Sequence, residues 1–177
     1  MRGEAGAGRR PIDLPWADVM TRTGWGYDAH RFGGAGPLVL CGVEVSSDRG
    51  LIGTSDGDVG LHAVIDAILG ASALGDLGEL FPSADPRWAG ADSAELLAIA
   101  RALVEEAGFR VVAVDVTIVA ETVRVAPHRR EMRSVLAASL GLESSAVSVK
   151  ATTTDGMGPL GRDEGIAATA VATVVQE

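Results

Sequence analysis

The sequence predicts an α+β fold: a four-stranded mixed sheet covered by helices on one face, with a β-hairpin beside it. Three observations carry this reading. Helix signals mark segments 58–73, 92–107 and 127–140; β-branched runs fill 111–120 and 147–153; and the last strand, Ile166 to Val175, is apolar or small on both faces. The chain has 177 residues, 47% hydrophobic and only 4% aromatic, which suits one domain with an aliphatic core.

Taken in order, residues 1–21, with Gly3, Gly6, Gly8, Arg9, Arg10 and Pro11, show no sustained periodicity and read as a flexible tail before a single domain at 22–177. Thr21 to Asp28 and Leu38 to Val45 suit strands, and Gly33, Gly34 and Gly36 suit the turn of a hairpin between them. From Asp58 to Ala73, Leu61, Val64, Ile65, Ile68 and Leu69 recur at helical spacing, while Asp58, His62 and Asp66 stand four apart on another stripe. Gly75 to Gly90, rich in Gly, Pro and Asp, is a candidate binding loop. Asp92 can cap the next helix, Glu95 follows as in a capping box, and Gly108 comes after the last turn. Val111 to Ala120 is a strand by its β-branched content, Pro127 to Leu140 a helix ended by Gly141, and Val147 to Thr153 another strand. In the last strand Ile166, Ala168, Ala170, Ala172 and Val174 point one way and Ala167, Thr169, Val171, Thr173 and Val175 the other, with no charge on either face. Such a strand needs cover on both sides. Helices of one domain shield one, and a neighbouring subunit can cover the other.

The balance of 15 Lys and Arg against 24 Asp and Glu gives a formal charge of -9, which argues against a nucleic-acid partner. No apolar run approaches the ~20 residues of a membrane span, and the first 21 residues lack the apolar core of a signal peptide, so no membrane partner and a cytoplasmic location are expected. The lone Cys41, in an apolar run, reads as a buried small hydrophobe.

Asp28-Ala29-His30 puts a carboxylate and an imidazole on alternate residues of a strand end, where both emerge on one side. His62 can add a third ligand and leave a fourth tetrahedral position for water or a substrate oxygen, a donor set that suits zinc. Asp66, one turn later, can orient an imidazole or a neighbouring loop. By spacing alone Asp-x-His fits a surface aspartate and a packed histidine better than a pair of metal ligands. The loop Gly53-Thr-Ser-Asp-Gly-Asp58 precedes a helix and can cradle an anion, though an N-cap explains Ser55, Asp56 or Asp58 as well. Lys150-Ala-Thr-Thr-Thr-Asp-Gly156 offers hydroxyls, a cation and a carboxylate at a strand end, and its threonines also suit a plain strand. Arg162 in Gly161-Arg-Asp-Glu-Gly165 fits an ion pair better than a phosphate clamp. His128, after Pro127 at a helix start, fits a solvated or structural role rather than a ligand.

Together these segments resemble the 2-C-methyl-D-erythritol 2,4-cyclodiphosphate synthase family of non-mevalonate isoprenoid biosynthesis. The likeness runs from Arg22 to Val175. It rests on Gly24-Trp-Gly-Tyr-Asp-Ala-His-Arg-Phe, Ser55-Asp-Gly-Asp-Val-Gly-Leu-His-Ala-Val-Ile-Asp, Leu74-Gly-Asp-Leu-Gly-Glu-Leu-Phe-Pro, Gly90-Ala-Asp-Ser, Val114-Asp-Val-Thr-Ile, Val149-Lys-Ala-Thr-Thr-Thr and Gly165-Ile-Ala. The resemblance implies a homotrimer with sheets facing the threefold axis and active sites between subunits. It implies a phosphorus-oxygen lyase in which the 2-phosphate of 4-diphosphocytidyl-2-C-methyl-D-erythritol 2-phosphate attacks the β-phosphorus, releasing CMP and closing a cyclic diphosphate.

The family's roles fall on particular residues here. Zinc would sit on Asp28, His30 and His62, with Asp66 behind them, and a second divalent ion, magnesium or manganese, would meet the diphosphate near Asp155. The substrate would touch Asp28, His30, Ser55, Asp76, Leu77, Gly78, Phe81 and Asp85 on the metal and polyol side. Ala120, Arg124, Val125, Ala126, Ala151, Thr152 and Thr153 would form the cytidine side, with Thr154, Asp155 and Arg162 near the phosphates. Thr153 and the residue at 54 would steady the transition state. Here that residue is Thr54 where the family has histidine, and Ser83 stands where it has aspartate. Glu121-Thr-Val-Arg124 replaces the usual Gln/Arg-x-Pro-Lys, and Pro159 takes a place where an aromatic or another apolar residue is common. All these departures lie on the substrate's side. They admit two alternatives: a diverged paralogue acting on another nucleoside-diphosphate polyol phosphate, and a catalytically weak metal-binding trimer.

Overall fold

A computed structural model describes residues 20–46 and 48–177. The tail expected at 1–21 lies, up to residue 19, outside the described residues; Met20 already accepts a backbone hydrogen bond from Gln176 at 3.0 Å. The chain runs β1 (Thr21–Gly34), β2 (Leu38–Leu40), β3 (Val43–Ser46), β4 (Gly50–Leu51), α1 (Val59–Ser72), α2 (Leu77–Leu80), α3 (Ser93–Glu106), β5 (Phe109–Val119), α4 (Arg129–Leu140), β6 (Val147–Thr152), α5 (Gly158–Gly161) and β7 (Gly165–Gln176).

The sheet is mixed, as expected, but has five strands in the order β4-β1-β7-β5-β6 rather than four. The extra strand is the two-residue β4, which pairs antiparallel with the end of β1 through Phe32 and Gly34. The hairpin also lies elsewhere than predicted. β1 continues past Asp28 because β7 offers matching backbone as far as Gly165, opposite Arg31, and β4 then pairs with Phe32 and Gly34, so Gly33 and Gly34 belong to a strand and not to a turn. The hairpin is β2 with β3, inside the segment read as one strand, and the residues that turn it are Cys41 and Gly42.

Helix ends followed their local signals closely. Asp58 caps α1 by accepting from the Gly60 and Leu61 N–H groups, Asp92 caps α3 from Ala94, and Gly141 ends α4 in the left-handed conformation. α4 starts at Arg129, two residues later than Pro127 suggested. Asp58 does more than cap. Wholly buried, it also accepts from Cys41 N at 2.8 Å and Gly42 N at 2.7 Å, which fastens the β2–β3 turn to the start of α1.

α1 lies across the sheet and is buried along almost its whole length. Two glycines of β1 permit this. A Cβ on Gly24 would stand 2.1 Å from the Ala67 carbonyl oxygen, and one on Gly26 2.1 Å from that of Ala63. The helix therefore rests on strand backbone at Gly24 and Gly26. Along the same face the next residues are Asp28 and His30, and the helix supplies His62 one residue before Ala63. The close approach thus delivers the three side chains to one place. Gly26→Ala is expected to destabilise the fold by about 3 kcal/mol, because the obstacle is helix backbone that cannot rotate away; urea unfolding would measure it, and an unchanged midpoint would refute the role given to this contact.

Helices cover one face of the sheet. On the other, Trp25 is 65% exposed and stacks on Tyr27 with ring centroids 6.1 Å apart, and Val171 is also exposed.

Candidate active site

Asp28 and His30 project from β1 and His62 from the first turns of α1, and one ligand atom from each lies within 4.8 Å of the other two. Asp28 Oδ2 is 2.7 Å from His62 Nδ1 and 3.1 Å from His30 Nε2. The remaining nitrogens are engaged elsewhere. His30 Nδ1 meets the Ile52 carbonyl at 2.8 Å, and since a carbonyl only accepts, Nδ1 carries a hydrogen; Nε2 then faces Asp28 as a donor when protonated and offers its lone pair when a metal ion is bound. His62 Nε2 meets Ser93 Oγ at 2.9 Å and Ser55 Oγ at 3.2 Å.

Two imidazole nitrogens therefore converge on one carboxylate oxygen, an arrangement that either protons on the rings or a metal ion among the three groups satisfies. Burial alone would push the Asp28 carboxyl up, but the hydrogen bonds to His30 and His62, with their charge, hold it well below the usual carboxylate range. The same hydrogen bond raises His30 above its ordinary value, against the opposing effect of burial. Without a metal, protons fill the place. The donor set, one carboxylate oxygen and two imidazole nitrogens, fits a divalent metal ion.

The three ligands open on a cavity of about 230 Å³ that Thr54, Ser55, Leu77, Phe81, Ser83 and Trp88 also line. Asp66 acts on the adjoining loop by accepting from Leu77 N at 2.8 Å. The loop 75–90, predicted to bind, is shaped by its own caps. Asp76 accepts from Glu79 N at 2.8 Å at the start of α2, and Phe81 stacks edge-on against Trp88 at 5.0 Å. Asp76 and Gly78 flank Leu77 without lining the cavity. Asp85 does not face it either: it caps the short turn Pro86–Trp88 and pairs with Arg87 at 2.6 Å, so its carboxylate is already satisfied.

A second group of predicted residues gathers in another place. Ala120, Arg124, Val125, Ala126, Ala151, Thr152 and Thr153 line one pocket, of about 230 Å³, at the ends of β5 and β6. It shares no lining residue with the metal cavity. Thr154 and Asp155 lie in the turn beyond it, where Asp155 N donates to Thr153 Oγ1 and Thr154 Oγ1 donates to the Met157 carbonyl. Arg162 forms the ion pair that its neighbours suggested, with Glu164 at 2.7 Å. Next to it Asp163 accepts from Thr122 and from Arg49, whose guanidinium lies 3.4 Å from the centre of the Phe32 ring.

Several site residues escaped the sequence. Ser93 is wholly buried; its hydroxyl bonds Asp56 Oδ1 and its N–H donates to Asp56 Oδ2 at 3.1 Å. Asp56 was legible as one of three candidate caps, but its partner lies 37 residues away. Trp88 and Leu96 in the cavity carried no signal beyond apolar spacing.

The YgbB family model matches residues 21–175 of this chain. The chain belongs to the YgbB family. Among relatives, the 2-C-methyl-D-erythritol 2,4-cyclodiphosphate synthase of Erwinia tasmaniensis is 50% identical over 155 residues, which cover 88% of this chain and 99% of that one. The bifunctional enzyme IspD/IspF of Novosphingobium aromaticivorans is 54% identical over 157 residues, covering 89% of this chain; the chain spans 41% of the length of that larger YgbB-family relative. Among solved structures, IspF of Plasmodium falciparum in complex with CDP superposes with a TM-score of 0.78 at 28% identity, covering 89% of this chain and 97% of that one. Among the described residues no helix is long and apolar enough to cross a membrane.

Proposed function

We propose that this YgbB-family protein is a 2-C-methyl-D-erythritol 2,4-cyclodiphosphate synthase of isoprenoid biosynthesis, converting 4-diphosphocytidyl-2-C-methyl-D-erythritol 2-phosphate to the cyclic diphosphate and CMP. The observation that carries this is the convergence of Asp28, His30 and His62 on a cavity lined by Thr54, Ser55 and the 77–88 loop, in a chain half identical to named synthases. An oxygen of the 2-phosphate forms a bond to the β-phosphorus, the bond from the β-phosphorus to the bridging oxygen breaks, and CMP leaves with that oxygen on its α-phosphate. No enzyme nucleophile is required, and as a phosphorus-oxygen lyase the protein mainly positions two anions and offsets their charge.

A zinc ion held by Asp28, His30 and His62 would supply Lewis-acid polarisation of the diphosphate. The chain's own part is to hold those ligands on a rigid strand and helix and to close the cavity with Leu77 and Phe81 over the polyol, where Asp76 shapes the loop through its cap. Ser55 lies at the cavity wall, where its hydroxyl would meet a phosphate oxygen. The second pocket, built from residues 120–126 and 151–153, would take the cytidine, and the exposed Asp155 would meet a magnesium or manganese ion on the diphosphate.

One chain keeps these two pockets apart. That separation, with Trp25, Tyr27 and Val171 exposed on the uncovered sheet face, supports a homotrimer whose active sites lie between subunits. The lone, buried Cys41 fits a cytoplasmic enzyme. Incubating the purified protein with the named substrate, zinc and magnesium is expected to release CMP together with the cyclic product, followed by phosphorus NMR. Tight substrate binding with no CMP would overturn the proposal.

A further inference from the structure

We infer that Ser93 and Asp56 are positioning residues for the metal, acting through His62. The inference rests on the metal reading above and extends it to residues that touch neither metal nor substrate. Its basis is the direction in which the hydrogens must run. An ionised carboxylate cannot donate, so the Ser93 hydroxyl gives its single hydrogen to Asp56 Oδ1, while Asp56 Oδ2 is occupied by the Ser93 N–H. Only the lone pairs of Ser93 Oγ then remain for His62 Nε2 at 2.9 Å, so Nε2 must carry the hydrogen. That leaves Nδ1, the nitrogen facing Asp28 at 2.7 Å, as a bare lone pair for a metal.

Ser55 cannot fix this choice. Its hydroxyl, 3.2 Å from Nε2, can donate or accept and so tolerates either tautomer. Ser93 is wholly buried and His62 is 5% exposed, which denies water the part. The relay also binds separate pieces of the site together: the Asp56 N–H donates to the Ala91 carbonyl and the Gly90 N–H to the Thr54 carbonyl, so the loop before α1, the start of α3 and the ring of His62 are held as one unit.

Asp56→Asn tests the direction of the relay with little change of volume. Asp56 Oδ1 accepts from the Asp58 N–H at 3.2 Å as well as from the Ser93 hydroxyl, and Oδ2 accepts from the Ser93 N–H at 3.1 Å, so in either orientation the new amide NH₂ meets a backbone N–H and one arm of the relay is lost. With the NH₂ toward Ser93 Oγ, the Ser93 hydroxyl turns its hydrogen toward His62 Nε2, which opposes the metal-binding tautomer; with the NH₂ toward the Ser93 N–H, the anchor that holds Ser93 against His62 is broken. Zinc affinity, measured by competition with a chromophoric chelator on the metal-free full chain, is expected to fall 10- to 100-fold in both Asp56→Asn and Ser93→Ala. It is expected to change much less in Ser55→Ala. In the zinc-loaded wild type, proton NMR should show a slowly exchanging low-field imidazole N–H from His62 that is lost or shifted in Ser93→Ala; this signal does not depend on any variant's stability. Variants that hold zinc as tightly as wild type, while wild type releases CMP, would overturn the positioning role alone. A wild type with no affinity for zinc or another divalent ion would overturn it together with the metal reading.

Discussion

His62→Ala is expected to lower CMP release on the order of 1,000-fold and to leave the purified protein without stoichiometric metal. A metal ion offsetting charge on a transferring phosphoryl group is worth several kcal/mol, and each 1.36 kcal/mol is tenfold in rate. His62 contributes one of three ligands and is the least exposed of them. Its removal leaves Asp28 with a single imidazole partner and opens a space that water can enter, so the cation loses both a ligand and its dry surroundings. The fold should survive, because α1 packs on the sheet through Leu61, Val64, Ile65, Ile68 and Leu69, and its seat on Gly24 and Gly26 involves backbone. Far-ultraviolet circular dichroism, metal content by emission spectroscopy and kcat together make the check. Retained metal with retained turnover would show that the convergence of Asp28, His30 and His62 serves packing alone.

That convergence was only half visible in the chain. Asp28 and His30 share a face by strand alternation, and His62 falls on a helix with unmistakable periodicity, so each ligand could be named from local pattern. What brings them together is the absence of side chains at Gly24 and Gly26, whose significance depends on a helix arriving some forty residues later. The helix caps Asp58 and Asp92 were legible because capping is local chemistry. The strand limits were not. Gly33 and Gly34 look like a turn in sequence, yet β7 pairs β1 out to Arg31 and β4 carries it on to Gly34, and a two-residue strand such as β4 has too few residues to show any period. Asp85 stands outside the cavity lining. The resemblance gave it a substrate contact, and in this chain its carboxylate caps the turn Pro86–Trp88 and pairs with Arg87. The Ser93–Asp56 relay was beyond sequence reasoning because its partners lie 37 residues apart and each reads locally as a residue of a helix start.

Thr54→His is expected to raise turnover about 100-fold, the effect of restoring one hydrogen-bond donor to a developing charge. The structure makes the substitution informative. Thr54 already lines the cavity beside Asp28, His30 and His62, and its backbone is anchored by the Gly90 N–H at 2.8 Å, so a longer side chain there starts from a fixed point. Threonine can donate one hydrogen bond but cannot carry positive charge, whereas an imidazolium can do both. The gain should lie in kcat and leave KM nearly unchanged, because a donor aimed at charge that grows during the reaction adds little to ground-state binding. It should also fade at alkaline pH as the new imidazole loses its proton. A gain in KM alone would mean that position 54 contacts the substrate only in its ground state. No gain at all would mean that Ser83, which lines the same cavity, and the rest of the wall have adapted to threonine, so that the rate is set elsewhere. Steady-state kinetics of wild type, Thr54→His, Ser83→Asp and the double variant would separate these outcomes: the two changes should combine by more than the sum of their separate free energies if both residues grip one substrate, and add simply if they act independently.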